Sequence, residues 1–173
     1  EGCSLPLLRD ALYRDRALLQ AWSIRGVPLV FPAGESGVFL SPLLAREGEC
    51  PWIYTRGITG ALDALGLNFY DLLPLAEEAC ACLEGETVLS KETLDRRLAG
   101  VIEPMLPPEV RPAWNAPSMY GQPDRQTVGG AVVSFLLRPC AFEGRVVFGE
   151  RSGPTPTFTS MERWLGSLPP AVP

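Results

Sequence analysis

Six side chains are suited by type and place to gripping an anionic group: Arg25, Arg125, Gln126, Arg138, Arg145 and Arg151. A guanidinium is planar, permanently charged and forked, so it holds phosphate or carboxylate through two parallel hydrogen bonds. Fourteen of the fifteen basic residues are Arg, a bias that genome composition alone can also produce. Other chemistries are poorly supplied. The chain has no His, which removes every histidine-based nucleophile or base scheme. It has neither a GxxxxGK nor a GxGxxG phosphate loop. Asp10 and Asp15 lack clustered partners for a metal, and Glu77, Glu78 and Asp95 form no paired-carboxylate pattern. The five cysteines, Cys3, Cys50, Cys80, Cys82 and Cys140, are an odd and scattered set that argues against a disulfide framework. Cys80 and Cys82 sit two apart on an expected helix and point in different directions. Buried small hydrophobes suit them better than a zinc site. Neither metal nor cofactor is expected.

Size and charge bound the fold. The 173 residues are 46% apolar, enough for a folded domain, or for two small ones sharing a core. No run approaches transmembrane length, and no secretory leader is visible. Opening on Glu1-Gly2-Cys3 without Met fits a piece of a longer chain. The net charge of -5 disfavours a nucleic-acid partner, since such binders are usually basic. The charge is uneven, however. Residues 1–110 carry 9 basic and 16 acidic side chains, whereas residues 111–173 carry 6 and 4. The basic excess lies where most of the candidate arginines lie.

The elements that must position them centre on Thr127 to Met161. Val128, Ala131, Val132, Phe135 and Leu136 recur at i, i+3, i+4, i+7 and i+8, the apolar stripe of a helix. Arg138-Pro139 is expected to end it, because proline disfavours helical geometry in the residue before it. Arg145 to Gly149 and Thr155 to Thr159 read as two strands about an Arg151–Pro154 turn. Upstream, residues 17–24 and 27–31 read as a hairpin about Arg25-Gly26, with Trp22 in the core. A short helix over Leu5 to Leu12 fades by Tyr13. Another helix is expected near Val38 to Ala45, uncertain at Pro42. Helices are also expected from Ile58 to Gly66, over 72–84 with Asp71 as N-cap, and over 91–99 behind Ser90, closing at Gly100. Thr87 to Leu89 is a short strand between the last two. Helix, strand, helix, helix and hairpin is the order of a winged helix. Any small α+β unit with a hairpin beside a helix competes with it. Residues 101–126, rich in Pro and carrying Trp114, Met119, Tyr120 and Arg125, form an unusually long insert.

Each candidate has a plain alternative. Arg25 also suits a solvent-facing hairpin, and Arg151 an exposed turn. Arg138 suits the negative end of a helix dipole, and Asp124, Arg125 and Gln126 suit a helix cap. The outward face of the 127–137 helix holds Gly129, Gly130, Val133, Ser134 and Leu137, which offers little to base edges. The glycines admit either a phosphate backbone or a neighbouring helix. Val133 and Leu137 are expected to be buried and Arg151 exposed, which would favour a protein-interaction role.

The stretches LYRDRALLQAWSIRGVPLVFPA, Leu12 to Ala33, and TVGGAVVSFLLRPCAFEGRVVFGE, Thr127 to Glu150, resemble the winged-helix DNA-binding family related to the bacterial DNA glycosylase AlkZ. The resemblance implies an α+β, mainly helical, tandem winged-helix architecture with small β-hairpin wings. Residues 1–33 would end one repeat, 34–68 link, 69–161 form the next with the 101–126 insert, and 162–173 form a tail. It implies double-stranded DNA as partner, no membrane, packing against further winged helices and a bacterial cytoplasmic setting near the nucleoid. Part of a glycosylase for alkylated or crosslinked DNA is the implied function. A non-catalytic interaction or transcription-associated module is the alternative. Two departures stand out. Where members often read Arg-Gly-Thr-x-His, this chain reads Arg25-Gly26-Val27-Pro28-Leu29. The catalytic Gln-x-Gln is absent, the glutamines being Gln20, Gln122 and Gln126. No catalytic residue is carried over.

Overall fold

A computed structural model describes Gly2 and residues 4–51, 59–118 and 125–166, without the Arg25 side chain. The expectations for Met119, Tyr120, Asp124, Gln122 and the end of the tail lie outside the described residues. Helix α1 (Leu5–Arg9) is capped by Ser4 and runs into a π turn, Asp10–Arg14. Strands β1 (Leu18–Trp22) and β2 (Pro28–Pro32) pair antiparallel, with Leu18 opposite Pro32 and Trp22 opposite Pro28. Both prolines lie on an edge strand, where a missing N–H is tolerated. The hairpin turn is a 3-10 turn, Ile24–Gly26, and Gly26 takes the left-handed conformation at φ +65.

Helix α2 (Ser36–Leu40) gives way at Pro42 to a 3-10 turn, Ser41–Leu43, so the helix expected to reach Ala45 is shorter. Helix α3 (Thr59–Leu65) ends at Gly66, left-handed as expected. Helix α4 (Phe69–Ala79) starts earlier than expected. Its N-cap is Asn68, whose Oδ1 accepts from the N–H groups of Tyr70 (2.9 Å) and Asp71 (3.0 Å), so Asp71 lies in the first turn. The helix breaks after Ala79 and resumes as α5 (Cys82–Gly85). Helix α6 (Lys91–Ile102) has the expected Ser90 cap but runs past Gly100, because Ile102 is fully buried and draws a further turn into the core.

The described part of the 101–126 insert carries structure of its own. Helix α7 (Arg111–Trp114) delivers Trp114 into the core, where its indole N–H donates to the Ala99 carbonyl at 3.1 Å. Helix α8 (Val128–Phe142) continues beyond Arg138 with Pro139 inside it. An internal proline costs roughly 3 kcal/mol, but Cys140, Ala141 and Phe142 beyond it are all buried, which offsets that cost. Trp114 also explains Gly129. A Cβ there would lie 2.2 Å from the indole Cε2.

Strands β3 (Val88–Leu89), β4 (Val147–Phe148) and β5 (Thr157–Thr159) complete one antiparallel sheet in the order β2-β1-β4-β5-β3. Gln20 of β1 pairs with Phe148 of β4, so the first hairpin and the later wing share that sheet. One face packs Trp22, Phe148 and Phe158 against α4, α6 and α8. Trp22 stacks on Phe158 at 5.4 Å and meets Phe148 edge-on at 4.8 Å. The other face buries Leu19, Ala21, Phe31 and Val147 with Leu40 and with Met161 of α9 (Met161–Leu165). This alternation follows the two-residue period of the strands. Helices on the sheet, with a two-stranded wing following α8, make a winged-helix-type fold.

Candidate nucleic-acid interface

Helix α8 holds the place a reading helix would take, yet it is a core helix. Val133 is 0% exposed and Leu137 1%, as expected for this face, while Arg151 is exposed. A helix buried in this way cannot enter a major groove as a recognition helix does.

The polar surface gathers instead along the contact between α6 and α8, where Lys91 meets Ser134 and Asp95 lies beside Gly130. The two helices open onto a cleft of about 420 Å³ whose lining includes Lys91, Asp95, Arg96, Arg125, Gln126 and Ser134. Two helix N-termini bring the positive end of their dipoles to this cleft, with the N–H groups of Thr93, Val128 and Gly130 already engaged. Thr127 caps α8, its Oγ1 accepting from the Gly130 N–H at 3.1 Å. Lys91 Nζ donates to Asp95 Oδ1 and to Ser134 Oγ, the latter at 2.8 Å. Arg138 donates to the Ser134 carbonyl at 2.5 Å. Its guanidinium lies 5.9 Å from the Trp22 ring, with Lys91 Nζ 6.0 Å from the same ring. Arg138 also packs under Gly26, where a Cβ would come within 2.9 Å of it. Arg96 pairs with Glu92 at 2.7 Å and reaches the Arg125 carbonyl at 3.4 Å. Lys91 and Arg138 therefore face Asp95, and Arg96 faces Glu92.

Burial sets the protonation of this group. It pushes the Asp95 carboxyl from 3.8 to about 6, although Lys91 and Arg138 pull the other way. Burial likewise lowers Lys91 against the attraction of Asp95, and lowers Arg138. The desolvation of each ion outweighs the attraction between them, as is common for buried pairs.

Of the six sequence candidates, Arg125 and Gln126 line this cleft, and Arg138 lies behind it on the Ser134 carbonyl. Arg145 pairs with Glu143 at 2.5 Å beyond the other end of α8. Arg151 sits in the exposed wing turn and donates to the Pro154 carbonyl. The Arg25 side chain lies outside the described residues. Sequence reasoning missed Lys91, Asp95 and Arg96. One signal was present: Lys91 is the single lysine in a chain with fourteen arginines.

The comparisons agree with this fold. A structure of the Streptomyces sahachiroi DNA glycosylase AlkZ aligns with 95% of this chain at a TM-score of 0.56 and 23% identity. The aligned part is 38% of that protein, so this chain spans well under half its length. No curated protein matches the chain. The family model described as DNA glycosylase AlkZ-like matches residues 2–173. With that match running almost end to end, the chain belongs to the DNA glycosylase AlkZ-like family.

Proposed function

We propose that this chain is a duplex-DNA-binding part of a tandem winged-helix glycosylase for alkylated or crosslinked DNA, and that the α6–α8 cleft takes the phosphate backbone. The observation that carries this reading is that Lys91, Arg96 and Arg125 line one cleft together with the N-terminal turns of α6 and α8, while Arg138 stands behind it on the Ser134 carbonyl. Such termini are ready-made sites for anions. Phosphate contacts supply most sequence-independent affinity, and the excess of arginine suits them. Base excision would rest on residues outside this chain, since no Gln-x-Gln occurs in it. The family match supports the glycosylase setting, and a bacterial cytoplasmic setting near the nucleoid belongs to the same proposal.

Fluorescence anisotropy with a damaged and an undamaged duplex tests binding. At low salt both should bind, and loss of binding there, where phosphate contacts are strongest, removes the reading. Arg151→Ala, at the exposed wing, should weaken binding by the same factor on unrelated sequences, because phosphate contacts position and do not specify. A factor that changes with sequence would instead make the wing a base reader. Base release from alkylated duplex by the complete protein tests the glycosylase part.

A second reading has its own support. The acidic balance of -5 and the buried face of α8 suit a protein-interaction module without DNA contact. Under that reading the low-salt experiment shows no binding.

A further inference from the structure

Lys91 is the only lysine among 173 residues. At the other fourteen basic positions the chain uses arginine. The two differ chemically in one decisive respect. An ammonium that sheds its proton is a nucleophile for carbonyl carbon, whereas a guanidinium stays protonated. The single lysine lines the cleft, with its side chain 30% exposed. Its immediate neighbours are those a reacting amine needs. Asp95, on the same helix, is a carboxylate already hydrogen-bonded to Nζ. Ser134 of α8 holds Nζ from the other side at 2.8 Å. Arg138 of α8 and the ring of Trp22 of β1 lie behind Lys91, outside the lining of the cleft, and Glu92, Arg96 and Arg125 line the cleft with it. The cleft of about 420 Å³ falls within the usual range for small-molecule sites and has room for a sugar with a flanking phosphate. Burial lowers Lys91 and raises Asp95, so the proton passes between them more readily than in an exposed pair.

From this arrangement we infer that Lys91 forms an imine with the aldehyde of an abasic deoxyribose in DNA and so cuts the strand at sites where a base has been removed. This rests on the reading that the cleft takes DNA backbone. The step balances without an oxidant or reductant. Neutral Nζ, its proton transferred to Asp95, adds to the C1′ aldehyde of the ring-opened sugar. The carbinolamine loses water to give the protonated imine. Asp95, again a carboxylate, removes a C2′ proton. The electron pair shifts to a C2′–C3′ double bond as the C3′–O bond breaks and the 3′ phosphate leaves. Water then hydrolyses the imine and returns the amine. The arginines hold the flanking phosphates and take no part in bond making.

Borohydride trapping on the full chain tests the proposal, because reduction turns the imine into a stable amine link. A duplex with one abasic site should yield a covalent protein–DNA adduct on a denaturing gel, and an intact duplex none. Peptide mapping should place the adduct on Lys91, and Lys91→Arg should abolish it. Anisotropy on the same abasic duplex separates the two ideas. Binding without an adduct overturns the imine and leaves the DNA-binding reading standing. An adduct mapped to the chain's N-terminal amine also overturns it. Absence of binding to any duplex sinks the reading of the cleft, and this inference with it.

Discussion

Gly129→Ala should lower the stability of the fold by about 1–3 kcal/mol, the usual cost of overpacking a core. The sign is the informative part. Within a helix, alanine ordinarily gains about 1 kcal/mol over glycine. At Gly129 the new methyl would fall 2.2 Å from Cε2 and 2.4 Å from Nε1 of Trp114. The indole has no room to retreat, being fully buried and tied to the Ala99 carbonyl. Trp114→Ala should cost about 3–5 kcal/mol through the cavity it leaves. In the double variant the methyl enters that cavity, so the two losses should fall short of their sum. Urea unfolding of the four proteins measures this. Additive losses, or a stabilising Gly129→Ala, would show that the 101–126 insert does not pack as described.

The same residues show what the sequence could and could not disclose. Both hairpins were legible because strands alternate every two residues and Gly26 and Gly153 punctuate their turns. The α8 stripe was legible from its 3.6-residue period. Local signals failed where tertiary packing overrode them. Pro139 reads as a stop, but burial of Phe142 carries the helix through it. Trp114 lies in a proline-rich stretch that reads as loop, and only the gap at Gly129 in a distant helix gives it a place. Lys91 and Asp95, at i and i+4, have the spacing common to exposed ion pairs on a helix, which does not mark a site. Ser134 of α8, 43 residues away, turns that pair inward.

Lys91→Met should be far more damaging at pH 8 than at pH 5. The folded Asp95 carboxyl titrates at about 6 against an ordinary 3.8, raised by burial. Between those values the folded state binds more protons than the unfolded, so this group's contribution to stability falls as pH rises from 4 to 6. Lys91 is the nearest cation offsetting that burial, and removing it should push Asp95 higher still. At pH 8 a buried carboxylate without its partner should cost about 3–5 kcal/mol. At pH 5 the carboxyl is neutral and the loss should be under about 1 kcal/mol, since methionine fills similar volume. Adding Asp95→Asn should remove most of the difference between the two pH values. Equal losses at pH 5 and pH 8, measured by urea unfolding, would mean that Asp95 is not a buried acid held by Lys91.

The role given to the α6–α8 cleft depends on phosphate contact, and charge reversal at its mouth tests that most directly. Arg96 and Arg125 are both exposed, so Arg96→Glu with Arg125→Glu should leave the fold intact, which a thermal melt verifies. Anisotropy of two unrelated duplexes, titrated across a salt series, is the measurement. For the unaltered chain, log affinity should fall linearly with log salt. The double variant should bind both duplexes at least about tenfold more weakly, with a slope shallower by roughly 2, one counterion for each lost phosphate contact. Unchanged affinity and slope in the double variant would contradict the assignment of the cleft to DNA backbone.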